Sequence, residues 1–402
     1  MTTDTLPLSR RVLTMEESQT IAMAQKARQL KSQGIEVISL NLGEPDFPTP
    51  AHIQAAAKQA VDDGYFFYTP VPGLPELREA IAEKFRIQNG LHWQAKNIVV
   101  SNGAKQSIAN VLLSLVDPGD EVVIFAPYWV SYAGIVELAE GKCVFVESGI
   151  ENDYKPTPEQ VRAAITPRTK ALIFSSPCNP TGAVFSADEL ADIAAILEAH
   201  PQVFAIADEI YEHINFSATP PKSLGSFEAI RERVITVNGV SKGFAMTGWR
   251  IGYIGAPDWL ADACNKIQGQ VTSGASAVSQ RAALAAISGT LAPTQEMTKA
   301  YLRRRDLVKS LLDQIEGVKT NLPQGAFYIF PDVSAFFGRS YQGQVIKDST
   351  DLCLYLLNEG HVSLVMGDAF GAPNCLRISY AAADQTIREG ISRMKTALEK
   401  LS

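Results

Sequence analysis

The sequence predicts an α/β fold, in which helices cover both faces of a mostly parallel β-sheet and a smaller α+β domain follows. Three observations predict it: short apolar runs alternate with amphipathic segments, the helical segments carry start and stop signals, and the pattern changes after residue 280. Ligands of such sheets bind beyond the carboxyl ends of the strands. Seven apolar runs are predicted as strands, at residues 98–100, 121–125, 143–146, 171–174, 203–207, 234–237 and 251–255.

Helices are predicted between these strands from their terminal residues. Thr157 and Ser186 each stand three residues before a Gln or Glu, a pattern typical of a helix N-terminus whose cap is bonded reciprocally. Pro75 opens an amphipathic helix that Asn89-Gly90 ends. These signals indicate helices that alternate with the strands, as a parallel sheet requires.

The change of pattern after residue 280 predicts a domain boundary. A long helix near 293–314 precedes short strands near 318, 327–330, 362–365 and 376–380 and a final helix. We therefore expect three parts. They are an N-terminal arm and helix (1–45) that packs with the small domain, a large ligand-binding domain (46–285) and a small C-terminal domain (286–402).

Composition limits the class of protein. The 402 residues are 46% hydrophobic and 20% charged, as in ordinary globular proteins, and the net charge of −7 disfavours nucleic acid as a partner. No apolar run resembles a membrane span or a signal segment, so we expect a cytoplasmic protein. The five cysteines and five histidines are isolated from one another, which predicts reduced thiols and no metal site.

Residues 241–250 carry the strongest chemical signal. Lys242 lies beside Ser241 and eight residues before Arg250, directly after the apolar run 234–237. Such a lysine can form a Schiff base with an aldehyde cofactor while the arginine and hydroxyl groups hold an anion. Composition alone would favour an ordinary surface Lys/Arg pair. Further segments after other strands favour a pyridoxal-phosphate site.

Asp208 follows the buried run 203–207, and Tyr211 follows it by three residues. An acid at the end of an interior strand is costly to bury without a cationic partner. A protonated pyridine nitrogen is such a partner, and it makes the ring a sink for electrons. The alternative for Asp208 is an ordinary helix N-cap.

Asn179 lies after the run 171–174, in a turn that two prolines and a glycine make rigid. Together with Tyr211 it would donate hydrogen bonds to a phenolate oxygen of the cofactor ring. The alternative is a simple turn asparagine.

Residues 103–105 open a helix directly after the run 98–100, and a helix start of this kind can hold an anion. Lys105 in that first turn opposes the helix dipole by roughly 0.3–1 kcal/mol, so it needs compensation. A substrate carboxylate would provide it; exposure to solvent is the alternative.

Two more residues are candidates because of the strands that carry them. Trp129 follows the run 121–125 and could stack on a cofactor ring or pack in the core. Arg377 lies inside the apolar run 376–380, where an arginine is rarely tolerated unless a carboxylate meets its planar guanidinium. We interpret Arg377 as a ligand-binding residue.

Taken together, these residues resemble the class I aminotransferases of the fold type I pyridoxal-phosphate family. The resemblance covers nearly the whole chain, and the joint occurrence of its motifs in one order is highly specific. The motifs are Gly43-Glu44-Pro45-Asp46, Tyr68-Thr69-Pro70, Gly103-Ala104-Lys105, Pro127-Tyr128-Trp129, Asn179-Pro180-Thr181-Gly182, Asp208-Glu209-Ile210-Tyr211 and residues 241–250.

The resemblance implies roles for these residues around pyridoxal 5'-phosphate. Lys242 forms the Schiff base and moves the proton between the substrate α-carbon and the cofactor C4′, and Asp208 pairs with the pyridine nitrogen. Asn179 and Tyr211 contact the ring oxygen, and Trp129 stacks on the ring. The phosphate is held by Arg250, Ser241 and the amides of Gly103, Ala104 and Lys105.

The resemblance also implies substrate and partner contacts. Arg377, helped by Gly43, binds the α-carboxylate of the amino-acid and keto-acid substrates. Tyr68 reaches the phosphate of the neighbouring subunit's cofactor, which implies a homodimer with shared active sites. The implied substrate-binding set is Gly43, Trp129, Asn179, Arg377, Lys105 and Thr20.

Within the family, the segments around Lys105 and Trp129 resemble the bacterial aspartate aminotransferases of subgroup Iβ. There the lysine matching Lys105 recognises the second carboxylate of the substrate. Some members also convert prephenate to arogenate, an activity associated with that lysine and with a threonine matching Thr20. The expected reaction is therefore transfer from L-aspartate to 2-oxoglutarate, and activity with aspartate only and activity with both aspartate and prephenate remain as alternatives.

Two other functions remain as alternatives. One keeps the cofactor: an aromatic or alanine-type aminotransferase, or a lyase such as aminocyclopropane-carboxylate synthase. The other is a transcription regulator with an aminotransferase-like domain. That regulator would need a winged helix-turn-helix segment before residue 40, for which we expect no room.

Overall fold

A seven-stranded β-sheet lies at the centre of the computed structural model, which describes residues 7–9, 12–13, 19–217 and 222–402. The helices are α1 Gln19–Ser32, α2 Ala51–Asp62, α3 Pro75–Lys84, α4 Ala104–Leu115, α5 Ser131–Leu138, α6 Pro158–Ala164, α7 Ala187–Ala199, α8 Asp258–Val271, α9 Ala277–Ser288, α10 Ala292–Leu312, α11 Ser349–Glu359 and α12 Asp384–Leu398. The strands of the large sheet are β2 Ile98–Asn102, β3 Glu121–Ala126, β4 Lys142–Glu147, β5 Thr169–Ser175, β6 Phe204–Asp208, β7 Val234–Gly239 and β8 Ile251–Gly255.

All seven predicted strands are confirmed as members of this one sheet. Their order is β2-β8-β7-β6-β5-β3-β4, and every neighbouring pair is parallel except those that involve β8. β8 runs antiparallel to both β2 and β7, a reversal that the apolar pattern alone did not indicate. The predicted α/β class is therefore confirmed, with one reversed strand.

The sheet is buried on both faces because its strands are apolar on both faces. Val122 and Ile124 of β3 pack with helices α4, α5 and α8, whereas Val123 and Phe125 pack with α6 and α7 on the opposite side. Alternate residues of a strand point to opposite faces, so a run without polar residues must be covered twice.

The helix signals predicted from the sequence are confirmed. The side chains of Thr157 and Ser186 each accept a hydrogen bond from the backbone N–H three residues later. The side chain at that later position accepts one from the backbone N–H of Thr157 or Ser186. The helix opened by Pro75 continues into a π turn, Phe85–Asn89, and Gly90 ends it in a left-handed conformation at φ 68°.

The C-terminal part is built from α10, α11, α12 and short strands β9 Tyr328–Ile329, β10 Ser340–Tyr341, β11 Gln344–Val345, β12 Val362–Ser363, β13 Val365–Met366 and β14 Leu376–Ser379. The strand expected near residue 318 was wrong: only an isolated bridge joins Lys319 to Asp332. No helix in the described part of the chain combines the length and apolar character needed to cross a membrane.

The N-terminal segment packs with this C-terminal part. Strand β1, Ile38–Ser39, pairs in parallel with β12, and helix α1 contacts β12 and β13. These contacts support the grouping of residues 1–45 with the small domain. We propose 45/46 and 285/286 as the domain boundaries, the second of which falls inside α9.

The buried guanidinium of Arg304 and the partly exposed carboxylate of Asp46 form an ion pair that joins the segment after β1 to α10. The guanidinium of Arg304 meets the carboxylate of Asp46 with both ends of its fork, at 2.8 Å and 2.9 Å. The Arg304 side chain is only 8% exposed and lies over the rings of Phe47 and Tyr301. Paired hydrogen bonds of this geometry are among the stronger polar contacts in proteins.

We expect Asp46→Ala to lower the free energy of unfolding by about 3 kcal/mol, because it leaves a buried guanidinium without its main partner. Urea denaturation of the purified chain measures the change. Glu296→Ala is the matched control, since the Glu296–Lys299 pair is 72% exposed on both sides and should contribute about 0.5 kcal/mol or less. Equal effects of the two changes would contradict the assignment.

Candidate active site

A cavity of about 610 Å³ lies beyond the carboxyl ends of β5, β6 and β7. Parallel strands bring the turns that follow them to one edge, so residues far apart in sequence meet there. The N-terminal segment and β14 contribute further walls from the C-terminal part of the molecule. Most of the predicted site residues line this cavity: Gly43, Ala104, Lys105, Trp129, Asn179, Asp208, Tyr211, Ser241, Lys242, Arg250 and Arg377.

Three predicted residues do not line the cavity. Gly103 borders it as the N-cap of α4 at φ 83°, where a Cβ would collide with the Arg250 guanidinium. Tyr68 is 98% exposed and lies outside the cavity of the single chain. Thr20 belongs to α1, and its side chain lies outside the described residues.

Asp208 is the last residue of β6 and is buried, with 4% of its surface exposed. Its Oδ2 accepts a hydrogen bond from the Tyr132 hydroxyl at 2.7 Å, and its Oδ1 accepts one from the Ile210 N–H at 3.2 Å. Burial raises the pKa of Asp208 from its ordinary 3.8 to about 6, against the opposing effects of these donors and of Lys242. The carboxylate therefore lacks a full counter-charge within the chain.

Lys242 follows β7 in the turn that closes the floor of the cavity. Its Nζ donates a hydrogen bond to the Gly43 carbonyl at 2.6 Å and lies 5.7 Å from the centre of the Tyr211 ring. Burial lowers its pKa to about 8, with Glu44 opposing the shift and Arg377 and Arg250 adding to it. A lysine with this pKa is partly neutral near physiological pH and can act as a nucleophile or base.

Arg377 lies on β14 and is held from several sides. Its Nη1 donates to Asn179 Oδ1 at 3.0 Å, and its Nη2 donates to the Asn41 carbonyl at 2.7 Å. The guanidinium lies 4.5 Å from the centre of the Tyr328 ring, and its buried Nε has no hydrogen-bond partner among the described residues. A fixed, buried cation of this kind is suited to bind a carboxylate.

Tyr211 is oriented by a second tyrosine. Its hydroxyl lies 2.8 Å from the Tyr328 hydroxyl, and both side chains are buried. Burial raises the pKa of both phenols, so both are protonated and can donate hydrogen bonds.

The end of the cavity next to the start of α4 has the groups needed to hold a multiply charged anion. Arg250 adopts a left-handed backbone conformation at φ 58°, and its guanidinium donates to the carbonyls of Thr247 and Asn102 at 3.0 Å and 3.2 Å. Ser241 and the first turn of α4 lie at the same end. A helix start together with an arginine and a hydroxyl is a common phosphate site.

Lys105 and Trp129 form the rim. The Lys105 ammonium lies 5.1 Å from the Trp129 ring centre, and Trp129 packs edge-to-face on Tyr132 at 5.5 Å. Lys105 reaches solvent at the mouth of the cavity, although part of its side chain is covered. This partial burial lowers its pKa, and the charge of Arg250 lowers it further. Trp129 lines the cavity and packs on Tyr132, and Lys105 lines the cavity and reaches solvent, so the roles expected of both residues stay predictions.

The charges around the cavity are mostly positive although the whole chain is acidic. Five cationic side chains line it against the two acids Glu44 and Asp208, in a chain of net charge −7. Such a local excess concentrates anionic ligands. The five are Arg28, Lys105, Lys242, Arg250 and Arg377.

The sequence did not identify three residues that the geometry brings into the site. Tyr132 donates to Asp208, Tyr328 meets Tyr211, and Arg28 of α1 lines the cavity. Tyr132 had a weak signal, since it stands one helical turn after Trp129. Tyr328 had none, because an aromatic residue in a short buried strand is usually part of the core.

We expect Asp208→Asn to stabilise the cofactor-free chain near pH 7.5. The unfolded chain releases the Asp208 proton near pH 3.8 and the folded chain near pH 6, so the wild type loses stability as pH rises through this window. An elevation of this size corresponds to roughly 3 kcal/mol above the window and to about half of that near pH 5. Urea unfolding of wild type and variant at both pH values measures the difference, and a pH-independent difference would contradict the shift.

Comparison with known proteins agrees with this geometry. A family model described as aminotransferase class I and II matches residues 35–394. An aspartate/prephenate aminotransferase of Cereibacter sphaeroides is 46% identical over 98% of this chain and 99% of its own length. A bifunctional aspartate aminotransferase and glutamate/aspartate-prephenate aminotransferase of Petunia hybrida is 45% identical over 98% of this chain and 83% of its own.

Solved structures show the same similarity. The aspartate aminotransferase of Rhizobium meliloti superposes with a TM-score of 0.96 at 40% identity, covering 99% of this chain and all of that one. The Thermus thermophilus aspartate aminotransferase with maleate superposes with a TM-score of 0.92 at 40% identity, covering 98% of this chain and all of that one. The chain belongs to the class I and II aminotransferase family.

Proposed function

We propose that this protein transfers an amino group from L-aspartate to 2-oxoglutarate, giving oxaloacetate and L-glutamate, with pyridoxal 5'-phosphate as cofactor. The observation that carries the proposal is the meeting of Lys242, Asp208 and Arg377 in one cavity. These are an amine of lowered pKa, a buried carboxylate of raised pKa and a buried guanidinium. Each is an unfavourable arrangement by itself and becomes favourable once a ligand of matching charge is present.

The residues present fit the cofactor. Pyridoxal phosphate supplies an aldehyde that condenses with amines and a ring that withdraws electrons from the substrate α-carbon. The incomplete counter-charge of Asp208 suits a protonated ring nitrogen, and the phenol of Tyr211 with the amide of Asn179 suits the ring oxygen. Trp129 is the ring-stacking residue of this proposal. The proposed phosphate ligands are Arg250, Ser241 and the amides of Gly103, Ala104 and Lys105.

Lys242 is the proposed attachment point and the acid-base group. With a pKa of about 8, its Nζ can take a proton from the substrate α-carbon at near-neutral pH, and it would deliver that proton to the cofactor C4′. Such proton transfer contributes about 10²–10⁴-fold to a rate. Asp208 stabilises positive charge in the ring, and Tyr211 contributes to the orientation, so these three form the proposed catalytic set.

Two cations that line one cavity support a dicarboxylic amino acid as substrate. Arg377, assisted by Gly43 of the same cavity, is suited to the α-carboxylate, and Lys105 at the rim is suited to the second carboxylate. The names of the similar proteins from Rhizobium meliloti and Thermus thermophilus include aspartate, and the Thermus structure contains maleate, a dicarboxylate. These support aspartate as the amino donor.

Prephenate is the second candidate substrate. The relatives from Cereibacter sphaeroides and Petunia hybrida carry prephenate in their names at 46% and 45% identity. Prephenate presents a carboxylate near the same end as aspartate does, so Lys105 can serve both. Thr20 is the second residue, together with Lys105, that we propose for prephenate activity.

We also propose a homodimer with shared active sites. Three consecutive aromatic side chains are highly exposed in the single chain: Phe66 at 70%, Phe67 at 84% and Tyr68 at 98%. An exposed aromatic cluster is typical of a surface that a partner covers. In the proposed dimer Tyr68 reaches the phosphate end of the other subunit's cavity.

We expect Lys242→Ala to remove both the Schiff-base absorbance band that marks covalent attachment of pyridoxal phosphate and nearly all turnover of aspartate. Non-covalent cofactor should still bind, because Arg250 and Asp208 remain. Absorbance spectra and an assay of oxaloacetate release measure the two effects. Retention of both properties would exclude Lys242 as the attachment point.

We expect Lys105→Met to reduce kcat/KM for aspartate by about 10-fold to 100-fold, as loss of one charge-assisted contact of roughly 1.5–3 kcal/mol implies. Phenylalanine, which has no second carboxylate, should be affected far less. Kinetics with aspartate, prephenate and phenylalanine compare the variant with the wild type. Unchanged turnover of aspartate would overturn the dicarboxylate assignment and favour an aromatic or alanine-type enzyme.

A further inference from the structure

A buried network of charged side chains lies on the side of the Asp208–His213 segment that faces away from the cavity. Asp208 and Tyr211 face the cavity, whereas Glu209 and Glu212 are 8% exposed and point into the protein. One short segment therefore carries both the cavity residues and a second polar cluster. The proposed function assigns no role to that cluster.

Lys84 and Asn89 complete the network from the end of α3. Lys84 forms an ion pair with Glu212 and donates to Asn89 Oδ1 at 2.9 Å. The Asn89 amide donates to Glu212 Oε2 at 2.8 Å and to Glu209 Oε2 at 3.1 Å, and Ser223 donates to Glu209 Oε1 at 2.6 Å. Every member of the network thus has a defined partner.

The π turn at residues 85–89 makes this arrangement possible. Lys84 ends α3, and Asn89 ends the π turn that continues it. An α-helix would direct two side chains five residues apart to different sides, whereas a π turn brings them together. Wide turns of this kind are uncommon and frequently lie near functional sites.

The protonation states leave one ion pair in the network. Burial raises the pKa of Glu209 to about 8, so it is largely neutral near pH 7. Burial also opposes ionisation of Glu212, but the charge of Lys84 and the hydrogen bonds from Lys84 and Asn89 outweigh it and hold its pKa at about 2. Burial lowers the pKa of His213. Replacing a buried ion pair with apolar residues is often neutral or stabilising, so stability alone does not explain this pair.

His213 connects the network to the lysine turn. Its Nε2 lies 3.4 Å from Glu212 Oε1, and its ring rests against Gly243, where an added Cβ would come within 2.8 Å of the ring. The ring also packs edge-to-face on Phe244 at 5.3 Å. Gly243 directly follows Lys242, so the ring supports the backbone next to the reactive amine.

Helix α10 also holds the two backbone segments that meet where the His213 ring contacts Gly243. Thr294 donates to the Gly243 carbonyl at 2.7 Å, and Thr298, one turn later, donates to the His213 carbonyl at 2.8 Å. The two backbone segments are therefore held by one rigid element, and the His213 ring fills the space between them.

We propose that His213 and Glu212 are positioning residues for Lys242. Lys84 and Asn89 hold Glu212, Glu212 Oε1 borders the His213 ring at 3.4 Å, and the ring supports the backbone at Gly243. This inference rests on the proposed role of Lys242 as the reactive amine. It adds a reason for burying charges that touch neither substrate nor cofactor.

The test compares four variants of the full chain. His213→Ala removes the ring, His213→Phe keeps a ring against Gly243, and Glu212→Gln keeps the shape but removes the charge. Glu83→Gln is the matched control, because Glu83 pairs with Arg86 at the same helix end with both side chains more than half exposed. Each variant is assayed as holoenzyme with aspartate and, without cofactor, by competitive acetylation of lysines resolved by mass spectrometry.

We expect kcat to fall by about 10-fold to 100-fold in His213→Ala and Glu212→Gln, since displacements near 1 Å have effects of this size. KM for aspartate should stay within about threefold, because Arg377 and Lys105 still hold the substrate. His213→Phe should recover part of kcat, and Glu83→Gln should resemble the wild type. In the cofactor-free chain, acetylation of Lys242 relative to exposed Lys299 should change by about threefold or more in His213→Ala, as a pKa change of half a unit would produce.

A lowered Tm with unchanged kcat and unchanged Lys242 acetylation would show that the network is merely structural and would overturn the inference. If Glu212→Gln does not fold, the double variant Lys84→Met/Glu212→Leu decides, because it leaves no unpaired buried charge. Wild-type turnover in that double variant would also overturn the inference. Failure of the wild type to attach pyridoxal phosphate at Lys242 would instead reject the proposed function, independently of the acetylation result.

Discussion

The turns after β5, β6 and β7 meet because these three strands run parallel. Each strand ends at the same edge of the sheet, so the turn carrying Asn179, the residue Asp208 and the turn carrying Lys242 are brought together. Their separation in sequence has no effect on this proximity, because strand direction alone decides which ends meet. The reversed strand β8 begins directly after Arg250. The Arg250 guanidinium donates to the carbonyl of Asn102, two residues before α4.

The cavity stores electrostatic cost that a ligand can relieve. Asp208 and Lys242 are shifted in opposite directions by the same cause, since burial disfavours the charged form of each. The chain tolerates this because its large apolar cores on both faces of the sheet supply stability elsewhere. A cofactor with a cationic ring and a polyanionic end, such as pyridoxal phosphate, would supply a counter-charge to Asp208 and to the cations around Arg250. The family assignment supports the same chemistry independently.

Much of the fold could be predicted because the local signals agree with the tertiary structure. The apolar runs of β2 to β8, the reciprocal caps at Thr157 and Ser186 and the left-handed Gly90 each depend on neighbours within a few residues. The prediction of a strand near residue 318 was wrong because a short apolar stretch does not specify a partner strand. An isolated bridge at Lys319 forms there instead. The direction of β8 also could not be predicted, because parallel and antiparallel buried strands share one apolar pattern.

Motif spacing and hydrophobic periodicity are local properties, so the amino-acid sequence was enough to name the candidate side chains of the site and the order of the elements. The contacts that hold these side chains follow from packing: Tyr132 on Asp208, Tyr328 on Tyr211, and Asn41 and Asn179 on Arg377. The same holds for the Lys84–Glu212 pair beneath the lysine turn, whose members lie on different elements. Such contacts depend on the packing of segments far apart in sequence, and no short-range pattern encodes which buried polar atoms will meet.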